Sequence, residues 1–212
     1  MAQKVELRTC IFLDSLQPQV TSWISTAARG YLPIVRDASL WVEVAPAIAI
    51  NRITDVAIKK TGVRPAYQFV ERAYGVLEVH HESQAEVRAA EQAVLSHLEM
   101  TAADRLKPVV MTSEIITNVM DYQAMLINKT RYGNMFVPGQ ALYILEVHPA
   151  AYATYAANEA EKASPITLID VAPVGAFGRM WLAGSEAEIE EAAKAVHKAI
   201  DGVDGRPNKA GG

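Results

Sequence analysis

The sequence predicts an α+β fold built twice in one chain, each copy an antiparallel sheet flanked by helices. Three observations carry that expectation. Residues recur at a fixed offset of 103 positions, as with Gly30 and Gly133 and with Gly75 and Gly178. Glu43, Val44, Pro46 and Ala47 return at the same offset as Glu146, Val147, Pro149 and Ala150. Within each half, short β-branched runs alternate with longer stretches of helical spacing. A period of this size, with helices and strands enough for a core in each copy, reads as two like domains rather than a solenoid.

Taken in order, residues 5–13 are β-branched and apolar and read as a strand. Asp14 to Pro18 forms a turn, and Pro18 suits the first position of a helix running to Arg29. Gly30 is expected to close that helix in the left-handed conformation. Residues 40–44 form a second strand. Pro46 breaks it and opens a helix with Ile50, Ile53 and Ala57 on one face, and with Asp55 and Lys59 four apart on another. Gly62 ends it. Residues 64–70 and 75–80 are the arms of a hairpin, and Ser83 caps a helix ending near Leu98.

The second half repeats this order. Residues 109–116 form a strand, 121–131 a helix, 142–147 a strand, and 166–171 and 178–183 a hairpin. Lys162 stands where Lys59 was, and Asn158 where Asp55 was. Glu188, Ile189, Ala192 and Val196 match Glu86, Val87, Ala90 and Val94 with the offset reduced by one deletion. The junction falls at 101–107, giving domains at 1–103 and 104–203. The remainder, 204–212, is poor in apolar residues and is expected to be a flexible tail.

Composition bounds the function. Across 212 residues, half are apolar and 21% charged, enough for two modest cores. The net charge of −4 and the lack of a basic run argue against a nucleic-acid partner. No apolar run has membrane-spanning length and no signal-peptide segment opens the chain, so the expected compartment is the cytoplasm, away from lipid membrane. Cys10 is the single cysteine and lies in an apolar strand, where it reads as a buried small residue.

No residues support catalysis: there is no phosphate loop, nucleophile elbow or acid–base carboxylate pair. The adjacent His80 and His81 point to opposite faces of a strand, so they do not converge on a metal, and both read as surface histidines. His97, His148 and His197 have no partner at ligand spacing. Trp23, Trp41 and Trp181 read as core or interface anchors.

The order of the Glu43-bearing strand, the Asp55–Lys59 helix, the hairpin and an alanine-rich helix resembles the bacterial microcompartment shell domain. About forty residues precede the Glu-bearing strand in each copy, which resembles the circularly permuted version of that domain. Two permuted copies are similar to the tandem-domain shell proteins of carboxysomes and of propanediol- and ethanolamine-type compartments. The resemblance implies two ferredoxin-like, microcompartment-type domains per chain. It implies a homotrimer forming a pseudo-hexameric disc, in parts of the family stacked face to face. Other shell proteins are then partners, and metabolites cross a central pore within the shell of a cytoplasmic microcompartment. No cofactor, metal or catalytic residue is implied.

Lys59 and Lys162 match the family's edge lysine at the contact between discs. Glu71 and Arg72 match the pair that lines and gates the pore in several tandem members, with Phe69, Val70 and Ala73 beside them. In the second copy the corresponding hairpin is Pro173, Val174, Gly175, Ala176 and Phe177. Val174 and Gly175 replace the charged pair, which implies a threefold rather than sixfold pore.

Each of these residues has a plainer reading. Glu71 and Arg72 are also what an exposed polar hairpin carries. Pro173 to Ala176 reads equally as a tight turn or as a backbone approaching an axis too narrow for side chains. Lys59 and Lys162 also suit a helix C-terminus. The alternative for the whole chain is a small-molecule sensor of two ferredoxin-like domains, with its ligand in the cleft between them.

Overall fold

A computed structural model describes residues 4–209. The first repeat contains β1 (Glu6–Leu13), α1 (Pro18–Ala27), β2 (Ala38–Ala45), α2 (Ile50–Lys60), β3 (Arg64–Val70), β4 (Gly75–His81) and α3 (Gln84–Leu98). The second contains β5 (Val109–Ile116), α4 (Asp121–Asn128), β6 (Ala141–His148), α5 (Tyr152–Ala163), β7 (Thr167–Ala172), β8 (Gly178–Gly184) and α6 (Glu186–Asp201). The two antiparallel sheets have the orders β1-β2-β4-β3 and β5-β6-β8-β7. Even the irregularities repeat. The register slips between Leu7 and Thr9 and between Val110 and Thr112, then again between Pro65 and Tyr67 and between Leu168 and Asp170.

Two pairs of glycines explain much of the fixed offset. A Cβ on Gly75 would stand 2.2 Å from the Ala47 carbonyl oxygen, and one on Gly178 2.0 Å from that of Ala150. No side chain fits where β4 or β8 starts against the turn that opens α2 or α5. Gly30 differs from the sequence expectation. It is not left-handed, since α1 ends at Ala27 with an extended cap at Ala28. It is required instead because a Cβ would meet the Pro65 carbonyl oxygen at 2.3 Å, as one on Gly133 would meet that of Ile169 at 2.6 Å.

In the first repeat, Leu40, Val42, Leu77 and Val79 pack one sheet face against Ile50, Ile53, Val87 and Val94 of α2 and α3. Helix α1 lies on the other face and reaches the second repeat. Trp23 and Ile24 share one core with Tyr143, Ala153, Ala157 and Leu168. The indole N–H of Trp23 donates to Asp170 Oδ1 at 2.9 Å. The repeats are therefore fastened across a common apolar seam, and burial of that surface is the main force holding them together.

Two further expectations are corrected. Helix α4 stops at Asn128 rather than Arg131. The segment after α6, expected to be flexible, is tied down as far as Asn208. Val203 is buried, Arg206 pairs with Glu6 and exchanges backbone hydrogen bonds with Arg105 and Lys107, and Asn208 donates to the Lys107 carbonyl. Apolar content was a poor guide because polar contacts do the tethering. The rest of that predicted tail, 210–212, lies outside the described residues.

Candidate functional site

The two hairpins expected to act together share a wall. A cavity of about 760 Å³ lies between the repeats, bounded by Trp23, Tyr67 and Phe69 on one side and by Asp170, Pro173 and Val174 on the other. Phe69 is the last residue but one of β3, the first strand of one hairpin, and Pro173 and Val174 begin the loop of the other. Burial pushes the Asp170 carboxyl up, opposed by its hydrogen bonds from Trp23 and the Val171 N–H.

The first hairpin turns through Glu71, whose N–H donates to the Tyr74 carbonyl at 3.0 Å. The Glu71 carboxylate accepts from the Ala73 N–H at 3.3 Å and does not pair with Arg72. Arg72 is exposed, with no hydrogen bond or ion pair among the described residues. Phe69, Val70 and Ala73 are exposed beside it. In the second hairpin Gly175 has a φ of +101° and open space around it, which is what a tight turn demands. Pro173 is buried, Val174 packs on the core, and Ala176 is exposed.

Beneath both hairpins lies a charged cluster that sequence reasoning missed. Arg8 and Glu43 are both buried, and Arg8 Nε donates to Glu43 Oε1 at 2.7 Å. Glu43 Oε2 accepts the Ala151 N–H from the second repeat at 2.8 Å. Arg8 Nη2 reaches His148 Nε2 at 2.9 Å. Since a guanidinium only donates, that imidazole nitrogen is the acceptor. The Arg8 guanidinium also lies 3.6 Å from the centre of the Tyr74 ring, and His148 meets Phe177 edge-on at 6.0 Å. Tyr74 and Phe177 are equivalent residues, each closing its hairpin before the glycine. One seam cluster thus touches the base of both hairpins.

Burial pushes the Glu43 carboxyl up, with Arg8 opposing. Burial holds His148 below its ordinary value, and the Arg8 charge adds to that. The repeated Glu43 and Glu146 were the available signal. Their partners were not legible, because Arg8 becomes Met111 at the offset and Glu146 pairs instead with Arg179 at 2.6 Å.

The two lysines are not alike. Lys59 is exposed and pairs with Asp55 at 2.6 Å along α2. Lys162 is held by Asp14 of the first repeat at 2.6 Å and by Glu159 at 2.8 Å. Burial lowers its affinity for the proton, but the two carboxylates outweigh that and hold it above the usual lysine range. The histidine expectation is corrected at His80, which is buried and 3.3 Å from Glu78. Cys10 is fully buried, which pushes its thiol up to about 12. Among the described residues no cluster of three or more His, Cys, Asp or Glu suits a metal, and no helix is long and apolar enough to cross a membrane.

This geometry has close counterparts. Residues 7–104 match the family described as the CsoS1D N-terminal domain. The carboxysome shell protein CcmP of Synechococcus elongatus is 50% identical over 202 residues, 95% of each chain. The carboxysome shell protein CsoS1D of Hydrogenovibrio crunogenus is 49% identical over 92% of this chain and 96% of its own. Among solved structures, the fused permuted hexameric shell protein MSM0275 from the RMM microcompartment superposes with a TM-score of 0.91 at 41% identity, over 94% of this chain and 98% of that one. The double-ringed trimeric shell protein MSM0271 from the same microcompartment gives 0.93 at 37%, over 96% and 100%. Duplicated sheets, permuted element order and these relatives agree: the chain belongs to the tandem, circularly permuted shell proteins of bacterial microcompartments, with CcmP and CsoS1D among its relatives.

Proposed function

We propose that this chain is a non-enzymatic wall component that assembles as a homotrimer around a gated pore, through which metabolites enter and leave a microcompartment. The observation that carries the gate is the state of Glu71 and Arg72. They occur in one repeat only, and within one chain they do not pair. A trimer brings three copies of that hairpin to one axis, where each Arg72 meets a neighbouring carboxylate. Exposed ion pairs are worth only about 0–1 kcal/mol each, so two arrangements of the loops lie close in energy and a passing anion or metabolite can select between them. Residues 69–73 and 173–177 then line the opening, and the exposed Lys59 lies at the contact with adjacent discs, joined by Lys162 where its internal pairing allows. Such discs tile with other shell proteins. Two of them stack if the exposed apolar residues Leu32, Ile34, Met135 and Val137, equivalent in the two repeats, meet face to face.

Electron microscopy of the overexpressed protein, with its mass in solution, tests this. Trimers that grow into sheets or tubes support it. The alternative, a sensor, has the cavity between repeats in its favour, and uniform small particles that bind a ligand without forming sheets support that instead.

A further inference from the structure

One cluster touches the bases of both hairpins, and the ring at its centre is held by donors. His148 ends β6 and is half-buried. Arg8 Nη2 lies 2.9 Å from its Nε2. Asn208 Nδ2 lies 2.9 Å from its Nδ1, and the same amide nitrogen donates to the carbonyls of Lys107 and His148 at 2.9 and 3.1 Å. A neutral imidazole accepts at one nitrogen and a charged one at neither. The Arg8 contact is therefore open to the neutral ring alone. Protonation sets an imidazolium N–H against a guanidinium N–H and turns attraction into like-charge repulsion.

Aromatic contacts carry that change to the loops. The Arg8 guanidinium lies 3.6 Å from the centre of the Tyr74 ring, and the His148 ring meets Phe177 edge-on at 6.0 Å. Tyr74 and Phe177 are the last loop residues before β4 and β8. Ala45 and Met111 occupy the positions equivalent to His148 and Arg8, so this pairing occurs once per chain.

The other charges set around the ring do not remove the conflict. Glu43 of β2 holds Arg8 Nε at 2.7 Å and accepts the Ala151 N–H at 2.8 Å, which anchors the guanidinium beside His148. Glu6 of β1 lies 3.8 Å from Arg8 and pairs with Arg206 of the C-terminal segment. Its charge favours the protonated ring, but burial first and Arg8 second outweigh it and hold His148 below its ordinary value of 6.5. Glu146 of β6 is engaged by Arg179 of β8 at 2.6 Å, and the Lys107 side chain is exposed. With Arg8 anchored by Glu43, the imidazole is the group that must move.

We propose that His148 is a proton-sensitive latch on both hairpins. Neutral, the ring accepts from Arg8, and Tyr74 and Phe177 stay seated at the seam; protonated, it leaves Arg8, and the two hairpin bases loosen together. The latch belongs to a single chain. Its bearing on an opening at the symmetry axis rests on the pore reading above, in which acid would free the lining loops.

Hydrogen exchange of the hairpin amides in the assembled full chain, corrected for the intrinsic pH dependence of exchange, tests this, with the His148 ring titration followed by NMR. Between about pH 7.5 and 4.5, protection in both hairpins should fall about tenfold, the scale of losing one hydrogen bond to a charged group. The midpoint should coincide with the titration of His148. Glu43 also gains its proton in acid, since burial has raised its carboxyl. His148→Gln keeps Glu43 and offers Arg8 an oxygen that does not titrate, so it should abolish the step in both hairpins. Phe177→Leu should weaken the step in the second hairpin and leave it in the first. A ring that stays neutral throughout, hairpins that stay protected while it titrates, a wild-type step in one hairpin only, or an unchanged step in His148→Gln would each overturn the latch. A chain that shows the step but forms no trimer would sink the pore reading and leave the latch standing.

Discussion

Glu43 in a strand of the first repeat accepts the Ala151 N–H of the second at 2.8 Å, while its other oxygen holds Arg8 at 2.7 Å. The carboxylate thus joins the two repeats and offsets a buried guanidinium at once. Replacing Arg8 by Ala leaves Glu43 buried and uncompensated, a loss of about 3–5 kcal/mol for broken buried pairs. Replacing both, as Arg8→Met with Glu43→Leu, removes the desolvated charges and should cost far less than Arg8→Ala. Urea unfolding of both variants checks this, and equal losses would mean that the pair is not compensating.

His148 gives the seam a pH dependence. Its folded pKa lies below its ordinary value of 6.5, through burial first and the Arg8 charge second. The folded state therefore binds the proton less well than the unfolded chain. The stability from neutral His148 is fully present above about pH 6.5 and is lost as pH falls through that value toward the folded pKa. Unfolding at pH 7.5 and 5.5 should show wild type losing more stability than His148→Gln, whose amide oxygen accepts from Arg8 without titrating.

Two glycines of the second hairpin differ in what a methyl group would cost. Gly178→Ala drives a Cβ to 2.0 Å from the Ala150 carbonyl oxygen, so backbone must move, and overpacking of that kind costs about 1–3 kcal/mol or more. Gly175→Ala meets nothing within 4 Å but sits at a φ of +101°, a strain of about 1–3 kcal/mol that the open space around the turn lets the loop relieve in part. Thermal melting should rank Gly178→Ala as the more harmful.

The repeated glycines, Gly75 with Gly178 and Gly30 with Gly133, also show how much of the molecule was legible beforehand. A steric requirement leaves a residue type at a fixed place in both copies, so the hairpins, helix order and duplication could all be read from spacing. The sequence expectation for Gly30 found the residue and missed its cause, because a clash with the Pro65 carbonyl depends on a strand 35 positions away. His80 read as a surface residue because its burial, beside Glu78 on a covered sheet face, depends on tertiary packing that the strand's own sequence does not show. Arg8, His148 and Arg206 escaped for a related reason. Their partners are distant in sequence, and none keeps its identity at the repeat offset.

Lys59→Ala separates tiling from assembly. Lys59 is exposed and its Asp55 ion pair runs along one helix, so its loss should leave stability nearly unchanged. If its long stem lies across the contact between discs, the effect multiplies over every edge. The variant should keep its solution mass and lose sheets in electron micrographs. Lys162→Ala is a poorer test, since Lys162 also ties α5 to Asp14 within the chain.

Arg72→Ala addresses the gate itself. Among the described residues Arg72 has no partner, and Glu71 turns back to the Ala73 N–H, so removing the guanidinium should leave folding and trimer mass unchanged. On the proposed gate, its effect would belong to a closed arrangement in which a cation at the axis offsets the carboxylates brought there. Without it, three Glu71 side chains repel and the loops should stay apart, favouring the open pore. Crystal forms of the variant that still hold the hairpins closed would show that the pair does not set the gate. Arg72→Lys is the informative companion: it keeps the charge but not the planar fork, and an intermediate shift toward open loops is expected if bidentate contacts, rather than charge alone, hold the pore shut.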